Sequence, residues 1–263
     1  MNISSPTSPR PPTPLKILLI GPPGSRKTTL GLQFPNVYVE DCDRNLGGPE
    51  RWLRSNGHED LSYAYNNVRY DTNGKMREVH DCYNALCDDL TRMANAPSEY
   101  AQVKTVFVDS LSHVNEFIIR HVLSKQQKTK NPYEMEARDW SPFKSFAYIL
   151  LVAKLEQTNK HVICSCHEVK LTETDPREIM TQRVIGYEPF FQGKVGDIIG
   201  AFFTDVWRLE VRPAPGDKSE TWLQTTRHPK CEHLKNSLGL PPELSLKDGY
   251  KTLEPYLKGL YPQ

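Results

Sequence analysis

The sequence predicts an α/β fold in which a mainly parallel central sheet is flanked by helices and extended by an antiparallel hairpin near its C-terminal end. Three observations carry this reading. Short apolar runs recur along the chain, and the first of them feeds a Gly/Pro-rich loop and then a helix. Between the runs, apolar residues fall at three- and four-residue spacing, the period of a helix with one buried stripe. Two late apolar segments flank a turn rich in proline and glycine.

In chain order, Leu15 to Ile20 is apolar between Pro14 and Gly21, as suits a central parallel strand covered on both faces. Gly21 to Thr28 is the loop, and the short helix after it ends by Phe34, where Pro35 cannot continue the hydrogen bonding. Val37 to Val39 is a second strand running into Glu40, Asp41 and Asp43, before Gly47 and Gly48 break the chain. Met76, Val79, Tyr83, Leu86, Leu90 and Met93 mark a structural helix. Thr105 to Val108 is a third strand, ending in Asp109-Ser110 and followed by a helix from Leu111 to Leu123. The polar, lysine-bearing segment from Ser124 to Asp139 is expected to be an exposed loop. Phe143 to Ala153 gives a long helix ending near Asn159, and His161 to Cys166 a fourth strand that finishes at His167-Glu168. Residues 168–194 are expected to be a long irregular stretch, and loops of that length in compact domains are usually functional or disordered. Asp205 to Val211 and Glu220 to Thr226 form the hairpin.

With 263 residues, the chain is long enough for one large core. Its expected organisation is a disordered Ser/Pro-rich leader over 1–13, a core over 14–226, and a tail over 227–263 packed on that core. A hydrophobic fraction of 38% and a charged fraction of 25% are ordinary for a globular protein, and no stretch is apolar enough to span a bilayer. No secretory signal is legible, so a cytoplasmic location is expected. The 33 basic and 32 acidic side chains nearly cancel, so attraction to nucleic acid must come from a local patch. Six scattered cysteines do not make a disulfide scaffold and are expected to be reduced. Two further groupings are set aside: Cys164 with Cys166 as buried thiols, and His228, Cys231 and His233 as a weak candidate for zinc.

The segment Gly21-Pro22-Pro23-Gly24-Ser25-Arg26-Lys27-Thr28 follows the phosphate-loop pattern G-x-x-x-x-G-K-[ST], except that Arg26 stands at the second glycine. In that pattern backbone N–H groups wrap the phosphates, the lysine neutralises their charge and the hydroxyl binds a metal. Gly21 to Thr29 is therefore the candidate nucleotide-binding segment, for ATP with Mg2+, and Lys27 is the central cation. Arg26 puts a side chain where the backbone needs freedom, and its charge either strains the loop or faces the phosphates. Asp109, at the end of an apolar strand, suits the acid that holds the metal together with Thr28. Glu40, Asp41 and Asp43 are unranked candidates for the group that positions water, and His167 is a candidate γ-phosphate sensor.

The motifs GPPGSRKTT, VEDCD, VFVDS and CSCHE, in that order on successive strands, resemble the RecA-like superfamily of P-loop NTPases. Within it they are most similar to short phage-encoded nucleotide-binding proteins of the single-strand annealing and recombinase type. The resemblance spans about residues 15–211. It implies that Asp43 is the catalytic carboxylate and that His167 couples nucleotide state to a DNA-binding loop. It implies single-stranded DNA as a partner and a homo-oligomeric ring or filament; whether a single-strand-binding protein is a further partner is left open by the sequence. The loops in the family's DNA-binding positions hold Lys125, Lys128, Lys130, Arg177, Arg183 and Lys194, with Tyr187, Phe190 and Phe191. That mixture of charge and stacking surface suits a single strand, and equally suits a solvated charge run beside packed aromatics. Lys194 or Arg183 is the candidate to complete a neighbouring subunit's site.

Two other functional classes fit the same motifs. One is a nucleotide-gated DNA-binding module in which Arg26 has suppressed hydrolysis. The other is a small-molecule or nucleotide kinase in which Arg177 and Arg183 close on a second substrate.

Overall fold

A computed structural model describes residues 13–125, 134–174, 182–216 and 218–260. Its centre is β1 (Lys16–Gly21), buried along its whole length between β5 (His161–Thr174) and β7 (Asp205–Ala214), to both of which it runs parallel. β4 (Thr105–Asp109), β2 (Val37–Asp41) and β3 (Ala64–Asn67) continue the parallel sheet beyond β5. On the other side β8 (Lys218–Gln224) and β9 (Glu243–Ser245) add antiparallel strands, giving the order β3-β2-β4-β5-β1-β7-β8-β9. β6 (Gln182–Pro189) stands off this row and pairs antiparallel with the outer half of β5. This is the mainly parallel, helix-flanked sheet with a C-terminal antiparallel hairpin that the apolar runs predict.

The period-two alternation of β1 divides the interior in two. Leu18 and Ile20 face one core with α3 (Val79–Asn95), α4 (Leu111–Lys125) and α5 (Trp140–Tyr148). Ile17 and Leu19 face the other, beneath α1 (Lys27–Gly31) and α2 (Gly47–Ser55). The second core is closed by Leu240, Leu246, Leu253 and Leu257 of the C-terminal segment. His161 pins that segment, with its Nδ1 accepting the Leu15 N–H at 3.0 Å and its Nε2 lying 3.0 Å from the Leu260 carbonyl.

Several elements differ from the sequence reading. Residues 168–194 are not irregular where described: β5 runs on to Thr174, pairs with β6, and α7 (Gly193–Ile198) follows. The hairpin stands clear of the core, so its outer strand residues are mostly exposed and carry no apolar run to betray them. Gly47 and Gly48 open α2 rather than break the chain, and β3, with the exposed or half-buried residues AYNN, had no apolar signal at all. β2 takes in Glu40 and Asp41, which are buried. α5 passes through a π-helical turn, Ile149–Lys154, into α6 (Leu155–Gln157). Of the expected 124–139 loop, Ala137–Asp139 is a turn of 3-10 helix and 126–133 lie outside the described residues, as do 1–12 of the expected leader.

Candidate nucleotide-binding site

The carboxyl ends of β1, β2, β4 and the inner part of β5 meet at one edge of the sheet, as ligand crevices do in parallel α/β folds. A cleft of about 630 Å³ opens there, lined by the phosphate loop from Pro23 to Thr29 together with Asp43, Trp52, Asp109, His113 and His167. Gly21 starts the loop in close contact with β7: a Cβ placed on it would lie 2.3 Å from the Leu209 carbonyl oxygen. Gly24 turns with φ +79°, which glycine adopts without steric cost.

Arg26 takes the left-handed backbone, φ 66° and ψ 28°, that glycine would supply. Its side chain does not face the phosphates. The guanidinium lies 4.6 Å from the centre of the Trp52 ring and donates to Ser219 Oγ at 2.8 Å and Thr221 Oγ1 at 3.2 Å. The loop is thereby tied to α2 on one side and β8 on the other.

Lys27 is buried, and its ammonium donates to the carbonyls of Gly21 (2.8 Å) and Pro22 (2.9 Å) and to Ser25 Oγ (3.2 Å). Burial pulls its pKa down, while Asp109 opposes that shift. It fills the space an anion would share. Thr28 Oγ1 donates to Asp109 Oδ2 at 2.7 Å, and the other Asp109 oxygen accepts a short bond from Ser165 Oγ. Asp109 is fully buried, and burial pushes its carboxyl up against the opposing bonds from Ser165 and Thr28. A hydroxyl and a carboxylate oxygen in contact beside a lysine form a hard-donor pair that fits Mg2+, which keeps most of its remaining ligands as water.

Of the three acids at the carboxyl end of β2 and just beyond it, only Asp43 lines the cleft. Burial raises its carboxyl to about 7, with Asp109 and Asp41 adding to the rise, although the Asn45 N–H donates to it at 3.0 Å. Asp41 is spent on the turn, accepting the Arg44 N–H at 2.8 Å. Glu40 points to the opposite side of β2, where Asn66 Nδ2 donates to it at 2.9 Å and Asp89 of α3 holds Tyr38. Strand alternation therefore separates acids that adjacent numbering had left unranked.

His167 pairs in register with Gly21 and lines the cleft. Its ring is held neutral, with a pKa near 4, by burial first and then by Lys27 and His113. His113 was not singled out in the sequence. It sits on the first turn of α4, its Nδ1 3.0 Å from Ser110 Oγ, and lines the same cleft. The only available signal was its place four residues after Asp109 at the start of a helix.

The residues assigned to a DNA surface disperse. Lys125 is exposed at the end of α4, Arg183 is exposed on β6 and Lys194 is exposed on α7, while Lys128, Lys130 and Arg177 lie outside the described residues. Phe191 is buried, and Tyr187 stacks under Arg208 at 4.2 Å, which leaves Phe190, 40% exposed, as the open ring. Among the described residues no three His, Cys, Asp or Glu side chains come together as a metal-holding group, and His228, Cys231 and His233 form none. All six cysteines are free and buried. Among the described residues no helix is long and apolar enough to cross a membrane.

Comparison with known proteins adds a family. The model of a family described as AAA domain (AAA_24) matches residues 13–237. No curated protein matches the sequence. Among solved structures the chain is similar to the flagellar accessory protein FlaH from Methanocaldococcus jannaschii, with 13% identity, a TM-score of 0.40, and coverage of 89% of this chain and 85% of that one. The family match spans most of the chain and takes in the phosphate loop, Asp43, Asp109, His113 and His167 alike: this chain belongs to the AAA domain family.

Proposed function

We propose that the protein is a magnesium-dependent ATPase that works on single-stranded DNA as a homo-oligomer, in recombination, annealing or repair. The observation that carries the ATPase reading is the convergence of Lys27, the Thr28–Asp109 hydrogen bond and Asp43 in one cleft. Thr28 and Asp109 would hold Mg2+, which when bound would supply neutralisation of the phosphate charge. Lys27 leaves its own loop carbonyls for the phosphate oxygens. Asp43, as carboxylate, orients a water and accepts its proton as the water oxygen bonds to the γ-phosphorus and the bridging oxygen departs with ADP.

The DNA part rests on the hairpin. β5 carries His167 at the cleft and then continues directly into the paired strands, where Lys170 and Arg183 stand among Glu173 and Glu188, so one strand joins the phosphate end of the site to an exposed projection of mixed charge. A ring or filament would bring Arg183 or Lys194 of one copy toward the cleft of the next.

ATP turnover titrated with single-stranded DNA at several salt concentrations tests both parts. Turnover should rise with DNA and the stimulation should fall steeply with salt. Lys27→Ala should lower turnover at least about a hundredfold, the scale expected when a principal charge-stabilising group is removed. Turnover that ignores DNA at every salt concentration would remove the DNA part and leave the ATPase reading standing.

A further inference from the structure

The γ-phosphate end of the cleft is fixed by its chemistry. Lys27, Thr28 and Asp109 are the residues that would hold the terminal phosphates and the metal, and Thr29, Pro49 and Trp52 line the same cleft on α1 and around α2. Ser110, His113, Ser165 and His167 close the other end, beyond Asp109.

Two histidines at that end are more than one sensing contact requires. His113 is held by Ser110, whose Oγ lies 3.0 Å from Nδ1. With the serine hydroxyl donating to Nδ1, the imidazole is the tautomer with its proton on Nε2, a directed donor. Burial, and Arg69 nearby, keep the ring neutral against the opposing pull of Glu116. His113 and His167 also line a second cleft, of about 330 Å³, on their far side, with Glu116, Arg120, Phe190 and Gln192 among its walls. The histidine pair is thus the partition between the phosphate cleft and a second opening to solvent.

We propose that His113 donates from Nε2 to the terminal phosphate of the bound nucleotide, facing Lys27 across it, with Ser110 as the residue that sets its tautomer. This rests on the ATP reading and adds to it a residue on α4 that the phosphate-loop motifs do not contain.

The test compares a non-hydrolysable ATP analogue with ADP, each with magnesium, by calorimetry. A hydrogen bond to a charged oxygen predicts that His113→Ala weakens the analogue about tenfold or more and leaves ADP within about twofold. His113→Gln, which keeps an N–H donor, should recover part of the loss, and Ser110→Ala should show a smaller loss of the same sign. Equal weakening of both ligands would mean that His113 only supports the fold, and no weakening would mean that it never reaches the phosphate; either overturns the proposal. Thermal unfolding of each variant identifies one that fails to fold, in which case Ser110→Ala decides. A wild-type chain that gives heat with neither ligand would overturn the nucleotide reading itself, and this contact with it.

Discussion

At the scale of single residues, Arg26 shows how a motif can be read and its exception misread. Three of the four specified pattern positions are legible in the sequence, because each is fixed by a local chemical need: a glycine under the Leu209 carbonyl, a lysine in the nest, a hydroxyl at Asp109. The direction of the Arg26 side chain was not legible, since it depends on Trp52, Ser219 and Thr221, which are distant in sequence. Two energies oppose each other here. The left-handed backbone costs a non-glycine residue roughly 1–2 kcal/mol. The cation–π stack and the two hydroxyl bonds return about the same amount at a half-exposed site. Arg26→Gly loses the contacts and relieves the strain, so its unfolding free energy should stay within about 1 kcal/mol of wild type. Arg26→Ala loses the contacts and keeps the strain, and should be the less stable variant by roughly 1 kcal/mol in urea unfolding. If the alanine variant equals or exceeds the glycine variant, the left-handed conformation is not what this position demands.

At the scale of elements, the central parallel strands were readable because both their faces are covered, which forces apolar runs such as KILLIG and TVFVD, whereas the exposed edge strand β3 was not. The hairpin of β5 and β6 was not readable, since beyond His167 the chain leaves the layered core and its pairing is made by backbone bonds to which composition is blind. Strand ends also decide the electrostatics. β2 and β4 deliver Asp41, Asp43 and Asp109 to one place, and burial with mutual repulsion raises Asp43 to about 7. A carboxyl raised from 3.8 to about 7 in the folded state binds more protons there than in the unfolded state, so its contribution to stability is present at low pH and is lost as pH rises across that window. His167, lowered from 6.5 to about 4, acts in the opposite sense: its contribution is present above 6.5 and is lost as pH falls toward 4. Asp43→Asn should therefore gain melting temperature relative to wild type as pH is raised from 4 to 8 without nucleotide, and His167→Gln should gain relative to wild type as pH is lowered. ATP turnover of the wild type should rise through an acid limb with its midpoint near 7 as Asp43 loses its proton. Melting curves of the Asp43 variant that track the wild type in parallel across that range would refute the raised carboxyl.

At the scale of the molecule, one guanidinium ties the root of the hairpin to the core, beside the bond from the Tyr187 N–H to the Lys230 carbonyl at 2.8 Å. Arg208 lies on β7 opposite Ile20 of β1, one residue before the Leu209 carbonyl that contacts Gly21. It is 5% exposed and binds Glu168 at the root of the hairpin with two bonds, Nε to Oε2 at 2.8 Å and Nη2 to Oε1 at 3.0 Å. Nη1 reaches Glu210 at 2.7 Å and Gln224 on β8 at 3.0 Å, and the plane of the group covers Tyr187 on β6. Four strands thus share one cation. A buried pair of this kind offsets its own desolvation, whereas removal of one member strands the other without water, at a cost of about 3–5 kcal/mol. Arg208→Met should lower the unfolding free energy by about that amount and should make the β5–β6 amides exchange faster than those of β1 and β4. Glu168→Met added to Arg208→Met removes the stranded carboxylate, so the double variant should regain a large part of the loss, although Glu210 still faces the gap. Strictly additive losses in that cycle would mean that the two side chains hold the hairpin independently, and that the ion pair is not what couples the projection to the phosphate edge of the sheet.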